Sequence, residues 1–211
     1  MEAVEMLKPR SICDIGIGCG KYGMLFREGL GLRRPDEPLA GKSLLAEDFR
    51  LDGVEVCEAY VGPAQRAIYD HIYIGDIVEL CDKLGDYDLF TMLDVIEHMD
   101  LETGMTLLKR LRAKARIGVL VVTPIGEYPQ GELYGNPHEV HRSTWGKAQW
   151  KGLDRTRYMA VGEKKWLALV EGKESGRAPW LRMTRLRRRF RVACMAAGDA
   201  LFPGRVILPR L

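Results

Sequence analysis

The alternation of short β-branched runs with helix-length segments limits this chain most, because parallel strands need crossover connections and cannot be joined by tight hairpins. Apolar runs of strand length occur at Ser11–Ile15, Gly53–Val56, His71–Ile74, Leu89–Leu93 and Gly118–Val122. Between them, Lys21–Gly29, Tyr60–Tyr69, Ile77–Leu84 and Leu101–Ala115 have the length of helices. This order predicts βαβ units and an α/β, doubly wound, mostly parallel sheet. Two further runs, Thr156–Val161 and Trp166–Val170, flank Gly162-Glu163-Lys164-Lys165 and predict an antiparallel final hairpin. Gly31–Arg50, with two prolines and mixed charges, reads as an irregular insertion. Pro124–Arg142 is rich in Gly, Pro, Asn and Tyr without a clear period, which suits a loop over an active site.

Length sets the scale of the rest: 211 residues fit one domain of ordinary size with an appendage. With 46% apolar and 29% charged residues, disordered, collagen-like and coiled-coil classes are excluded. The longest apolar stretches, such as Ile117 to Val122, fall far short of the roughly 20 residues of a membrane-spanning helix. The opening MEAVEMLKPR has acids where a signal peptide carries its basic segment, so a cytoplasmic location is expected. Cys13, Cys19, Cys57, Cys81 and Cys194 are odd in number and form no CxxC, which predicts reduced, mostly buried thiols. His71 opens a strand and reads as a core histidine.

The formal charge of +3 hides an asymmetry. Residues 176–211 hold nine arginines and one acid, Asp199, for a net +8, while residues 1–175 carry a net −5. The chain therefore divides into an acidic body, 1–175, and a basic extension, 176–211. In the extension Met183, Leu186, Phe190, Ala193, Ala197 and Leu201 recur at helical spacing, with Arg185, Arg187, Arg188 and Arg191 off that face. This predicts a C-terminal basic amphipathic helix. Its partners are left open between the acidic body, a second subunit, an anionic membrane and a nucleic-acid backbone.

The first strand runs directly into Asp14-Ile-Gly16-Ile-Gly18-Cys-Gly20-Lys-Tyr-Gly23. Glycines at a strand-to-helix turn let the backbone approach a ligand and present the amides of the helix N-terminus. Gly18-Cys-Gly20-Lys-Tyr-Gly23 satisfies the dinucleotide pattern GxGxxG, which expects an acid about 20 residues on. The nearest strand-end acid, Glu55, is 35 residues past Gly20. The alternative register, Asp14-x-Gly16-x-Gly18-x-Gly20, fits better.

In that register the loop resembles motif I of class I S-adenosylmethionine-dependent methyltransferases, and further motifs follow in order. LDGVEVCE resembles the second-strand motif, YIGDI the third, YDLFTMLDVIEH the fourth with its DV(I/L)EH signature, and GVLVVTP the fifth strand and its loop. The resemblance covers about residues 10–171. It implies a Rossmann-like sheet of seven strands, S-adenosylmethionine as cofactor, and a methyltransferase domain over 1–175. Carried onto this sequence, the cofactor would meet Asp14, Gly16, Gly18 and Gly20 in the loop, Glu55 at its ribose hydroxyls, Asp76 and Ile77 at its adenine, and Asp94. Carboxylates suit this ligand, which has an amino group, a ribose diol and an adenine to donate hydrogen bonds.

Three of the four histidines fall in two segments that this fold brings to the carboxyl end of the sheet: Asp94-Val-Ile-Glu97-His98 and Pro137-His138-Glu-Val-His141-Arg-Ser-Thr-Trp145. The pattern resembles two metal-assisted branches of the family, the small-RNA 3′-terminal 2′-O-methyltransferases and the ubiquinone-pathway O-methyltransferases. That resemblance implies Asp94, Glu97, His98 and His141 as ligands of a divalent ion, with Asp94 standing where those branches usually carry Glu and His138 competing with His141. The alternatives are a general base at His98 or His141, or histidines that only order the loop. Trp145 and Trp150 are expected to pack the lid or to wall the substrate. Tyr128, Pro129, Gln130, Tyr134 and Asn136 are candidate substrate-loop residues.

These features predict a cytoplasmic methyltransferase acting on a hydroxyl of a small molecule. An RNA 3′-terminal 2′-O-methyltransferase with a divalent metal is the alternative enzyme, and a non-catalytic S-adenosylmethionine-binding module the alternative from another class.

Overall fold

The computed structural model describes residues 2–32 and 45–174. The basic extension, with its amphipathic pattern and Cys194, lies outside the described residues, as does the middle of the insertion. Among the described residues seven strands form one sheet: β1 (Ser11–Ile15), β2 (Arg50–Glu55), β3 (His71–Ile74), β4 (Tyr87–Leu93), β5 (Ala115–Pro124), β6 (Thr156–Val161) and β7 (Lys165–Glu171). Their order is β3-β2-β1-β4-β5-β7-β6. β1 to β5 pair in parallel; β7 runs antiparallel to both β5 and β6. The doubly wound, mostly parallel sheet ending in a hairpin is as the sequence predicts, with β7 inserted inside and β6 left at the edge.

Among the described residues six helices cover the sheet: α1 (Glu2–Leu7), α2 (Lys21–Leu30), α3 (Pro63–Ile68), α4 (Ile77–Leu80), α5 (Leu101–Lys114) and α6 (Lys147–Gly152). Strand alternation divides the core in two. Cys13, Ile15, Phe90, Met92, Val119 and Val121 face α4, α5 and α6, where Leu107, Leu108, Leu111 and Trp150 are buried. Ile12, Leu51, Leu89 and Leu120 face α1, α2 and α3, meeting Val4, Leu7, Phe26 and Ile68. No helix among the described residues is long and apolar enough to cross a membrane.

Local chemistry explains where three of these helices begin. Asp76 accepts from the Val78 amide at 2.8 Å and caps α4; Asp100 accepts from the Thr103 amide at 3.0 Å and caps α5. Pro63 opens α3. The helix expected over Ile77–Leu84 closes at Leu80, and that over Tyr60–Tyr69 starts at Pro63, preceded by a 3-10 turn over Glu58–Tyr60.

Several sequence expectations change. His71 is exposed on edge strand β3, its ring edge-on to Tyr73, and is not a core histidine. Cys13 and Cys81 are buried as expected, but Cys19 is exposed on the glycine loop. Trp145 and Trp150 stack with ring centroids 4.8 Å apart inside the core, so they anchor the root of the loop and do not wall the cavity. A Cβ at Gly104 of α5 would lie 2.8 Å from the Trp145 ring, so the indole needs that bare patch of helix.

Candidate active site

The carboxyl ends of β1 to β4 open onto a cavity of about 270 Å3. The glycine loop forms its floor. Gly16 has φ +74°, and a Cβ there would come within 2.5 Å of Val95 Cγ2, so this position needs glycine both for its backbone and for the approach of the turn after β4. Gly20, at φ +81°, is the N-cap of α2 and lies outside the cavity lining.

Sheet order arranges the lining groups along one line. Asp76 and Ile77 follow β3, Glu55 ends β2, Gly16 and Gly18 follow β1, and Asp94 and Val95 follow β4; all line the cavity. Glu55 is buried, accepting from the Gly18 amide and the Cys57 amide, each at 2.9 Å. One carboxylate thus fixes the glycine loop against the end of β2.

Asp14 is placed differently from Glu55. It is buried beneath the loop and does not line the cavity; Tyr69 Oη donates to it at 2.8 Å and Thr91 Oγ1 at 2.6 Å. Burial pushes its carboxyl up to about 6, against the two hydrogen bonds that favour the charged form. Its contacts tie β1 to the residue that follows α3 and to β4, so its place in the structure is as a support for the loop.

Asp94 occupies the left-handed region at φ 60°. Its amide donates to the Val122 carbonyl at 2.9 Å, and its carboxylate pairs with Lys165 Nζ from the start of β7. The four residues suggested as metal ligands are therefore not one cluster. Glu97, His98 and His141 have donor atoms within 4.8 Å of one another, while Asp94 stands apart with Lys165.

Glu97 is buried and accepts from Thr123 Oγ1 at 3.0 Å; burial pushes its carboxyl up to about 7. The rings of His98 and His141 meet edge to face with centroids 4.8 Å apart. Burial, then the neighbouring His141, lowers the His98 value, so its imidazole is neutral at pH 7. Its Nδ1 is buried without a partner. His141 Nδ1 lies 2.6 Å from the Tyr128 carbonyl oxygen. His138 lines the cavity but stays outside the histidine pair.

The loop from Ile125 to Arg142 folds over these groups. The Glu97 carbonyl accepts from the Arg142 amide at 2.8 Å and the Ser143 amide at 3.1 Å. Gln130 Nε2 donates to the Glu139 carbonyl at 2.8 Å, and Tyr60 Oη donates to Glu139 Oε1 at 3.1 Å, joining the loop to the segment after β2. Tyr128 and Tyr134 are exposed.

Sequence reasoning missed Lys165, Thr123, Tyr69 and Tyr60. Lys165 sat in what read as a hairpin turn. Thr123 was visible beside the fifth strand, at the carboxyl end where this fold places function.

Sheet order, glycine loop and strand-end acids together define the class I methyltransferase fold. Solved structures agree. A putative O-methyltransferase from Nostoc punctiforme is 15% identical, with a TM-score of 0.54 over 80% of this chain and 53% of its own. The methyltransferase domain of bacterial CtHen1-C is 18% identical, with a TM-score of 0.54 over 82% of this chain and 94% of its own. The N-terminal domain of EvdMO1 with SAH bound is 13% identical, with a TM-score of 0.54 over 81% of this chain and 78% of its own. This chain thus spans about half the length of the first and most of the others. No family model matches the sequence, and no curated protein matches it.

Proposed function

We propose that this protein is an S-adenosylmethionine-dependent methyltransferase that methylates a hydroxyl of a small molecule. The observation that carries the reading is His98, which lines the cavity at its β4 end with Glu97 and His141 beside it outside the lining, while the other strand ends present Glu55 and Asp76. Glu55, Asp76, Asp94, Asp100 and Glu139 line that cavity. An acidic lining favours a cofactor with a sulfonium and an ammonium over one with a pyrophosphate. The SAH held by the EvdMO1 domain is the demethylated form of the same cofactor.

In this reading Glu55 accepts from the ribose hydroxyls, and Asp76 with Ile77 bounds the adenine. Gly16 and Gly18 let the cofactor lie against the loop. The cofactor is already electrophilic, so the protein's work is alignment and removal of the hydroxyl proton. A carbonyl can only accept, so the Tyr128 contact keeps a proton on His141 Nδ1 and leaves Nε2 as the lone pair. His141 is the general base, with neutral His98 beside it. Closure of the loop through Tyr60 and Glu139 favours a small acceptor.

A second reading is favoured by the Glu97, His98 and His141 group. Two imidazoles and a carboxylate suit a divalent ion, and the orphaned His98 Nδ1 and the buried Glu97 would both gain from a cation. Donor atoms about a metal are at most about 4.2 Å apart, so a small side-chain adjustment would complete the set. A bound ion would lower the pKa of the acceptor hydroxyl. In that case a 2′-hydroxyl at an RNA end is the alternative acceptor. The basic extension would then be the nucleic-acid contact; an anionic membrane remains its other proposed partner.

The test supplies methyl-labelled S-adenosylmethionine and a fractionated extract of the protein's own cells. Label in small molecules, lost with His141→Ala and retained in chelator, is expected. Label in RNA that disappears in chelator selects the second reading, and label in no fraction contradicts both.

A further inference from the structure

We infer that Lys165 sets how strongly the cavity distinguishes the sulfonium cofactor from its neutral thioether product, by offsetting the charge of Asp94. The inference rests on the cofactor reading above. Across β3-β2-β1-β4 the strand ends present Asp76, Glu55, Gly16 and Asp94 in that order. A ligand with its adenine at Asp76 and its ribose at Glu55 extends its sulfur and amino-acid end over Gly16 toward Asp94.

Asp94 is held at that end by its backbone. Its φ of 60°, the hydrogen bond its backbone N–H donates to the Val122 carbonyl and the packing of Val95 against Gly16 fix where the carboxylate starts. Glu55 and Asp76 accept from backbone amides, which are neutral donors. Asp94 alone of these three pairs with a cation among the described residues. Lys165 reaches it from β7, opposite Pro124 of β5, so the pair bridges three neighbouring strands. Asp94 is 40% exposed and Lys165 39%, so the ion pair is open to an entering ligand.

Cofactor and product share adenine, ribose, ammonium and carboxylate, and differ by a methyl group and one positive charge at sulfur. The ratio of their affinities therefore reads the field at that atom. With Lys165 present, the attraction of Asp94 for the sulfonium is partly cancelled. Lys165 is a positioning and specificity residue here, since it acts through Asp94.

Calorimetry with S-adenosylmethionine and S-adenosylhomocysteine tests this on the full chain. Lys165→Met should shift the affinity ratio toward S-adenosylmethionine by roughly three- to tenfold, the scale of a unit charge screened nearly as well as in water. The shift should shrink in high salt. Lys165→Arg should restore the original ratio, and Asp94→Asn, which tolerates the left-handed backbone, should move it the other way. An unchanged ratio in both Lys165→Met and Asp94→Asn, with both ligands still bound, overturns the inference and leaves the cofactor reading intact. Binding of neither ligand to the unaltered chain overturns the cofactor reading and this inference with it.

Discussion

The imidazole of His141 lies with Nδ1 2.6 Å from the Tyr128 carbonyl oxygen, and this contact decides which nitrogen is free to act. Because the carbonyl fixes the tautomer, Nε2 carries the lone pair in the neutral ring. The same loop thus covers the cavity and orients the proposed base.

His98→Ala and His141→Ala separate the chemical roles. On the acceptor fraction found with labelled cofactor, His141→Ala should lower methyl transfer by roughly a hundred- to ten-thousand-fold, the span of general-base catalysis. Affinity for S-adenosylmethionine should stay within about twofold in either variant, since the proposed cofactor contacts come from other residues. Essential behaviour of both histidines together with inhibition by chelator would select the metal reading.

Asp14 makes a pH prediction with a definite sign. Its folded value of about 6 lies above the ordinary 3.8, so the folded state holds the proton more tightly. The stabilisation is complete below about pH 4 and is lost as pH rises through about 6. Asp14→Asn removes this dependence. The stability difference between the unaltered protein and Asp14→Asn should therefore shift by about 2–2.5 kcal/mol against the unaltered protein between pH 4 and pH 8. Denaturant melts at the two pH values check it; a pH-independent difference would mean that Asp14 is ionised without penalty.

Glu55→Ala removes the proposed ribose acceptor and the anchor of the Gly18 and Cys57 amides. A hydrogen bond to a charged group contributes about 1.5–3 kcal/mol, so S-adenosylmethionine should bind roughly ten- to a hundredfold more weakly. Unchanged affinity in a folded variant would remove Glu55 from the site.

Tyr60→Phe deletes the hydroxyl that joins the segment after β2 to Glu139 of the loop. A net loss of about 0.5–1.5 kcal/mol should raise the cofactor off-rate roughly two- to tenfold while the melting temperature hardly moves. Stopped-flow displacement measures the rate; no change would mean that the loop holds through Gln130 and Glu97 alone.

The strands were legible because each carries its own pattern. Ser11–Ile15, His71–Ile74 and Thr156–Val161 match the sequence reading residue for residue. The cavity-lining Glu55, Asp76 and Asp94 were visible for a related reason: they stand where strands end. Asp14 was harder, since a carboxylate beside a glycine loop looks the same whether it faces the ligand or, as here, Tyr69 and Thr91 beneath it. The choice between His138 and His141 depends on how a long loop closes, which no local period encodes. Lys165 became visible only once β7 was seen inserted beside β5, bringing residue 165 to residue 94. Helices α1 and α6, each six residues long, are too short for a periodic signal and owe their places to Val4, Leu7 and Trp150 in the core.

Cofactor identity bears the whole account, and titrating the purified chain with S-adenosylmethionine and with NAD in a calorimeter tests it most directly. The acidic strand ends and the glycine loop predict saturable binding of S-adenosylmethionine, weakened by Glu55→Ala, and none of NAD. Binding of NAD with no heat from S-adenosylmethionine would contradict it.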